Sequence, residues 1–277
     1  MLKLKKRAIF LIVLVLSLII SVSYGVYYTI NNSPTAYRVD NSSYSSSKLP
    51  KEFDGFKIGY LSDINLTDSK SITRFKEVVN DLNKQEIDLV IFGGDIYDSS
   101  IFDNAKVTEI FKSIKADYGK FAVLGERDFI DSSQTQSILN EGGFEVLHNE
   151  GRSIYYKGQS ICLFGLENNG DCSTLINDGN KDKYKLVAVH LPDYFNLSST
   201  SNINLQLSGH TMGGLINLPL YGSTDKPNGG TDYTFGSFTS GSSHLLISNG
   251  VSMASDKSFR LFTENEINIV TLNYKSN

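Results

Sequence analysis

Residues 88–98 read DLVIFGGDIYD, a short apolar run that ends abruptly in glycines and carboxylates. An apolar run of this length bounded by turn residues indicates a buried strand, and Asp95 follows it after two glycines. A helical face with apolar residues at 75, 78, 79 and 82 precedes the run, and another at 107, 110, 111 and 114 follows it. Strand–helix–strand alternation at this spacing predicts parallel strands joined by right-handed crossovers.

The pattern extends outward on both sides of this segment. Residues 56–61 and 121–124 are typical of two more strands in the first half of the chain. After residue 144 strands dominate, separated by turns rich in Gly, Asn and Ser. The predicted strands of this second half are 144–148, 153–157, 160–166, 185–190, 203–208, 215–218, 243–248 and 267–273. We therefore expect a single α/β domain over residues 51–277, with its helices concentrated in the first half.

Polar clusters follow five of the predicted strands. In α/β folds the functional residues lie on loops at the carboxyl ends of the strands. The clusters are at 63–65, 94–95, 125–128, 190 and 209–212. We expect them to form one site.

These segments resemble, in order, the motifs of the calcineurin-like metallophosphoesterases, most closely the bacterial membrane-associated branch. They read LSDIN at 61–65, GGDIYD at 93–98, LGERD at 124–128, VHLPDYF at 189–195 and LSGHTMGG at 207–214. Five segments in order are far more specific than one. The resemblance runs from about residue 53 to the C-terminus, including Arg260. It implies the family's four-layer fold, a two-sheet (mixed) sandwich flanked by helices.

The resemblance also implies a dinuclear metal centre that clamps a phosphoester and generates the attacking hydroxide. For the first metal, Asp63 and Asp95 are present, but Asn65 and Met212 stand where the family has histidines. A thioether is a poor ligand for the metals that phosphoesterases use. We predict a weak or vestigial first-metal site at Asp63, Asn65 and Met212, and no second tightly held ion.

The second-metal site keeps more of its ligands. Asp95, His190 and His210 match the family pattern, and Glu126 replaces an asparagine. A glutamate oxygen is a sound ligand, so these four residues predict a mononuclear site for one divalent Zn, Mn or Fe ion.

Arg127 replaces a histidine that the family is thought to use for proton transfer or phosphate contact. A guanidinium does not donate and recover a proton near neutral pH, so general acid catalysis there is lost. We expect Arg127 either to bind phosphate or to supply the positive charge of the absent metal.

Other polar residues have simpler interpretations. His148 and His244 fall at no motif position and are expected to be ordinary histidines. Asp98, Asp128 and Asp193 match positions that cap or orient loops, so we predict structural roles for them.

The first fifty residues have a different character. Four basic residues among the first seven precede an uncharged run of 23 residues, 8–30, which is long enough to cross a bilayer. The basic flank predicts that the rest of the chain lies outside the cytoplasm. Cleavage near 21–23 would make this a signal peptide instead, but Tyr27 and Tyr28 favour a retained anchor at 1–30. Residues 31–50, with six serines, three asparagines and two prolines, predict a tether.

Without the four N-terminal cations, 22 basic residues face 30 acidic ones. This balance argues against nucleic acid and against a polybasic contact with anionic lipid. Export permits a disulfide between Cys162 and Cys172. Cys162 lies in an apolar run, however, which favours a small buried hydrophobe.

Three functions remain open on these grounds. The first is a pseudoenzyme that acts by binding a phosphoester or an envelope protein. The second is a hydrolase of phosphomonoesters or phosphodiesters with a mononuclear or atypical site, and the third is a structural envelope protein. Four of the family's site residues are replaced. When groups act as a unit in catalysis, losing several of them removes most of the rate enhancement, which favours the first hypothesis.

Overall fold

The computed structural model describes residues 2–32, 35–168, 170–255 and 259–276. The first half contains α1 (Leu2–Asn32), β1 (Tyr37–Ser46), β2 (Phe56–Leu61), α2 (Ser69–Leu82), β3 (Leu89–Phe92), α3 (Asn104–Lys112), β4 (Lys120–Ala122), α4 (Ser132–Glu141) and β5 (Glu145–Val146). The second half contains β6 (Glu150–Tyr156), β7 (Gln159–Leu166), β8 (Lys185–Val189), α5 (Phe195–Thr200), β9 (Leu205–Ser208), β10 (Asn217–Leu218), β11 (Gly222–Ser223), β12 (Gly236–Ser240), β13 (Ser243–Ile247) and β14 (Asn265–Tyr274).

Two six-stranded mixed sheets form the core of the domain. Their strand orders are β1-β14-β2-β3-β4-β5 and β12-β13-β9-β8-β7-β6. Side chains alternate across each strand, so Leu89 and Ile91 of β3 face the second sheet while Val90 and Phe92 pack against helices α2, α3 and α4. Helix α5 packs on the outer face of the second sheet through Phe195. The two-sheet sandwich flanked by helices is thereby confirmed.

Residues 37–46 overturn part of the tether prediction. They form β1, which pairs in parallel with β14 over ten residues from Tyr37–Asn265 to Ser46–Tyr274. The prediction was wrong because it counted polar side chains, whereas a strand at a sheet edge is held largely by its backbone hydrogen bonds. Tyr44 packs into the core between the sheets, and the Tyr37 hydroxyl donates to Asp81 Oδ2 at 2.7 Å. The folded domain therefore begins by residue 37.

Helix α1 exposes its apolar side chains along its length. Its stretch Lys5–Asn31 is long and apolar enough to cross a membrane, a property that signal sequences near an N-terminus share. Among the described residues both cysteines are free thiols, and both are buried. Cys162 packs with Phe164 and Val187 on the outer face of the second sheet, which confirms its interpretation as a buried hydrophobe.

Candidate metal centre

The loops that follow β2, β3, β4, β8 and β9 meet at one edge of the sandwich and carry all eight predicted site residues. Five of the eight have a positive φ, between 46° and 70°. They are Asp63, Asn65, Asp95, His210 and Met212. Non-glycine residues in this conformation cost about 1–3 kcal/mol each and concentrate at functional sites. Backbone hydrogen bonds hold the strained loops, among them Asp63 N to Gly94 O at 2.9 Å and Asn65 N to Asp95 O at 3.1 Å.

Asp63, Asp95 and His190 offer one ligand atom each within 4.8 Å of one another, and all three are buried. His190 Nε2 lies 3.3 Å from Asp95 Oδ2 and 3.9 Å from Asp63 Oδ1. His190 Nδ1 lies 2.6 Å from the Gly93 carbonyl, which can only accept. The Nδ1 proton is therefore committed to Gly93, and Nε2 faces the two carboxylates.

The two carboxylates of this cluster attract positive charge, which the His190 imidazole supplies in part. Burial alone would lower the pKa of His190, but the carboxylate of Asp95, and then that of Asp63, outweigh it and raise the pKa to about 10. Burial raises the pKa of Asp63 against the opposing charge of His190. Within the described chain, His190 Nε2 and Asp63 Oδ1 have no hydrogen-bond partner. Two carboxylates and an imidazole, whose Nε2 becomes a ligand when a metal displaces its proton, suit a divalent metal of the Zn, Mn or Fe type.

Glu126 and His210 do not join this set of mutually close ligand atoms. They lie beside it as a pair, with His210 Nδ1 3.5 Å from Glu126 Oε2, and half of the Glu126 side chain is exposed. The structure thus brings together Asp95 and His190 of the predicted four-ligand set. Asp63, which the sequence assigned to the vestigial site, completes the cluster.

His210 is held from two sides. Its Nε2 lies 2.8 Å from the Asn228 carbonyl, and its backbone N–H donates to Asp63 Oδ2 at 3.0 Å. Burial lowers the pKa of His210, and the neighbouring His190 lowers it further. Because the Nε2 proton bonds to Asn228, Nδ1 presents its lone pair on the Glu126 side.

Asn65 and Met212, which stand at two histidine positions of the family motif, contact each other. Asn65 Nδ2 lies 3.9 Å from the Met212 sulfur, and both side chains are buried. Met212 packs with Leu215, Met253 and Ala254 in a small apolar cluster. Where the family has two histidine ligands for the first metal, this chain therefore has an amide and a thioether.

The Arg127 guanidinium pairs with two carboxylates. Its Nη1 donates to Asp98 Oδ1 at 2.6 Å, and its Nε lies 3.5 Å from Asp95 Oδ2. Burial would raise the pKa of Asp95, but His190, and then Arg127, outweigh it and hold that pKa below its usual range. Asp98, predicted to serve only loop structure, is therefore the partner of Arg127. The sequence signal for this pair was the new arginine itself, since a partly buried guanidinium is stabilised by a carboxylate partner.

Two further carboxylates, those of Asp128 and Asp193, position the loops. Asp128 accepts the backbone N–H groups of Gly125, Asp95 and Ile96 at 2.8, 2.8 and 3.0 Å. Asp193 accepts hydrogen bonds from the backbone N–H groups of residues 231–233. It thereby anchors the loop in which the Asn228 carbonyl contacts His210. Both carboxylates have the loop-orienting role predicted for them.

Arg260 is a buried cation that the sequence analysis did not assign to the site. It donates to the carbonyls of Met212, Asn249 and Ser252 at 2.6–2.8 Å, which ties the His210 loop to the segment after β13. Burial lowers the pKa of Arg260 to about 10 in spite of Asp63 and Glu266. His148 and His244 lie outside the centre, paired with Glu167 and Thr239.

A two-sheet sandwich with a carboxylate–histidine cluster at the strand ends is the arrangement expected of a metallophosphoesterase. The chain belongs to the calcineurin-like phosphoesterase family, whose model matches residues 56–214. It is similar to the uncharacterized metallophosphoesterase YkuE of Bacillus subtilis, with 31% identity over 236 residues and 82% of each chain covered. It is also similar to phosphodiesterase YaeI of Escherichia coli, with 25% identity over 205 residues that cover 71% of this chain and 75% of that one.

A relative from Danio rerio, a transmembrane protein with a metallophosphoesterase domain, is 26% identical over 220 residues. The match covers 73% of this chain and 50% of that protein. Among solved structures, the NAD nucleotidase NadN of Haemophilus influenzae aligns with a TM-score of 0.46 and 13% identity. This alignment covers 71% of this chain and 51% of that one, and the likeness concerns the fold alone.

Proposed function

We propose that this protein is a membrane-anchored, extracytoplasmic member of the family that holds at most one divalent ion and acts by binding rather than by turnover. The observation that carries the proposal is the contact of Arg127 with Asp98 and Asp95. A permanent cation beside Asp95, the carboxylate expected to bridge two metals, substitutes for part of the second ion's charge. The same guanidinium cannot transfer a proton to a leaving group.

The single ion would be held by Asp63, Asp95 and His190. When bound, such an ion acts as a Lewis acid toward a phosphoryl oxygen. Gly93 orients the His190 ring, and the Asp128 carboxylate fixes the loop that carries Asp95. Glu126 and His210 lie at the edge of the cluster, where they can contact the bound ligand. The bound partner under this proposal is a phosphoester or a phosphorylated or acidic component of the envelope, because Arg127 and the metal are both positive.

A mononuclear hydrolase is the second candidate. It is favoured by the cluster of Asp63, Asp95 and His190, because three protein ligands are the number that catalytic zinc sites use. The four replaced motif positions argue against a hydrolase, because losing several groups that act together removes most of the catalytic rate enhancement.

Metal content and turnover of the full-length protein, purified in detergent, separate the two candidates. We expect no more than one Zn or Mn per chain, and no hydrolysis of p-nitrophenyl phosphate or bis(p-nitrophenyl) phosphate above the His190→Gln variant. His244→Gln, a histidine change outside the centre, is the matched control and should retain the metal. Turnover that disappears in His190→Gln would establish the hydrolase, and two ions per chain would refute the one-metal proposal.

The membrane part of the proposal is supported by α1 and by its basic N-terminal flank. Protease added to intact cells should remove the domain that begins at β1 and leave a short membrane-bound fragment. A protease-resistant domain in intact cells would contradict the orientation. A domain released into the medium would show that the N-terminal segment is cleaved.

A further inference from the structure

A hairpin next to the metal centre exposes large apolar side chains. Strands β10 and β11 pair antiparallel, and the turn between them carries Leu220 and Tyr221. Leu220, Tyr221 and the neighbouring Phe262 are 111%, 79% and 62% exposed, and we call these three residues the hairpin patch. No charged residue occurs from 212 to 224, although a fifth of the chain is charged. Clustered exposed apolar side chains mark an interaction surface.

Two residues of the patch have strained backbone conformations that keep their side chains exposed to solvent. Leu220 and Phe262 have φ values of 69° and 59°, a region that bulky non-glycine residues rarely occupy. Segment 261–263 is fastened to the hairpin by Asn217 N to Leu261 O at 3.0 Å and Leu261 N to Leu215 O at 2.9 Å. Strain of this kind persists where the surrounding structure imposes it, and it commonly serves a function. Here it turns two apolar side chains away from the core.

One member of the patch, Phe262, lies beside the end of α1. A cleft of about 470 Å³ is lined by Tyr28 and Thr29 of α1 together with Phe235 and Phe262 of the domain. The side of the domain that bears the hairpin patch therefore adjoins the helix that enters the bilayer under the proposed function.

We propose that the hairpin patch docks into the surface of the same bilayer that α1 crosses. The proposal rests on the membrane anchoring proposed above. Leu, Tyr and Phe are the side chains that a bilayer interface accepts, and no charge from 212 to 224 opposes insertion of the hairpin. Arg38 and Glu264, which line the cleft beside Phe262, would stay at the level of the polar headgroups. The anchor keeps the patch next to lipid, so three side chains suffice where a free protein would need more.

Docking would also bring the metal centre to the membrane. The base of the hairpin packs directly on the loop that carries His210, where Gly214 has no room for a Cβ beside Ser223. Phe235 lies against Gly213 of the same loop. The rim of the centre would thus be held next to the bilayer surface, and its ligand would be taken from that surface.

Tryptophan fluorescence tests the proposal, because the chain contains no tryptophan. Tyr221→Trp and Phe262→Trp each place the only tryptophan of the chain in the patch of the full-length protein in phosphatidylcholine vesicles. Brominated phosphatidylcholine quenches only indoles in contact with lipid. Tyr155→Trp is the control, since Tyr155 is 68% exposed and pairs with Ser160 at the end of the second sheet opposite the centre. Phe10→Trp reports on α1.

We expect a blue shift and loss of fluorescence with brominated lipid for Tyr221→Trp and Phe262→Trp, and neither change for Tyr155→Trp. Quenching of Phe10→Trp alone would overturn docking while the anchor stands. An unquenched Phe10→Trp would overturn both, because the helix would not lie in the bilayer. A blue shift at the patch without lipid quenching would show that protein covers it, which also contradicts the proposal.

Discussion

Arg127 donates to the Asp98 carboxylate from Nη1 at 2.6 Å, and that carboxylate is almost wholly buried. Asp98 also accepts from the backbone N–H and hydroxyl of Ser255. Arg127 thus connects a structural carboxylate to Asp95 in the metal cluster. Arg127, which replaces a histidine of the family motif, thus has a buried carboxylate partner. This pairing indicates that the charge of Arg127 contributes to the stability of the folded state.

Removal of the Arg127 charge should lower the free energy of unfolding and raise the affinity for a divalent metal. Arg127→Ala leaves Asp98 buried without its cation, which we expect to cost about 2–3 kcal/mol of unfolding free energy, somewhat less than for a fully buried pair. It also removes a positive charge beside Asp95, so divalent affinity should rise about tenfold. Chemical denaturation and competitive metal titration in detergent measure both effects.

Two variants control for this experiment. Arg127→Lys keeps the charge and should hold metal affinity close to that of the parent protein. Arg152→Ala removes a partly exposed arginine that pairs with Glu145 and Glu150, and it should cost about 1 kcal/mol or less. If Arg127→Ala behaved like Arg152→Ala, charge compensation would be the wrong explanation.

The geometry of the ligand cluster predicts which carboxylate contributes most to divalent metal affinity. Asp63→Asn replaces a buried ligand with a neutral amide of equal shape, so divalent affinity should fall by about tenfold or more. Glu126→Gln changes a half-exposed side chain outside the cluster, so its effect should be a few-fold at most. The comparison is made by competitive titration, with thermal unfolding to verify the fold. A larger loss in Glu126→Gln would reinstate the ligand set inferred from the sequence.

The contact between Asn65 and Met212 predicts that the first-metal site can be rebuilt only by changing both residues. Asn65→His alone must fit an imidazole against the Met212 side chain, at an expected cost of about 1–3 kcal/mol. Asn65→His with Met212→His should raise the metal content from one ion toward two per chain. Further addition of Glu126→Asn and Arg127→His should then bring measurable phosphoesterase activity.

Met212→Leu is the matched control for the rebuilt site, because it conserves volume and adds no ligand. It should leave the metal content unchanged. A paired histidine variant that folds normally but still binds a single ion would show that the loops, and not the ligands, exclude the second metal.

Strand β1 gives a pH-dependent prediction away from the metal. Burial, and then the bond to Asp81, raise the pKa of Tyr37 from 10.0 to about 12. Between pH 10 and 12 the folded chain keeps a phenol proton that the unfolded chain has lost, so stability falls as pH rises through this window. Tyr37→Phe should cost about 1 kcal/mol at pH 7 through the lost hydrogen bond, and its deficit should shrink as the pH approaches 12.

Denaturation in detergent micelles at several pH values measures this difference. Tyr155→Phe, at an exposed position of β6, should change stability by less than about 0.5 kcal/mol. An unchanged unfolding free energy in Tyr37→Phe would indicate that the contact of β1 with α2 contributes nothing to the stability of the domain.

The sequence alone predicted the α/β domain and the apolar N-terminal helix, and the motifs that carry the family resemblance implied the two-sheet sandwich, the order of the site loops and the four replaced family positions. These features depend on local periodicity and on motifs read one segment at a time. Local pattern does not predict the strand at 37–46, because its pairing with β14 is a backbone contact made with residues more than two hundred positions away.

Tertiary structure decided which ligands face one another. Asp63 joins Asp95 and His190 because positive φ values at Asp63 and Asp95 turn their carboxylates inward, and a Gly93 carbonyl from another loop aims the imidazole. The pairing of Arg127 with Asp98 likewise depends on loops from two strands that meet only in the folded sheet. Motif spacing states which residues arrive at the strand ends, but loop backbone conformation and long-range contacts direct their side chains.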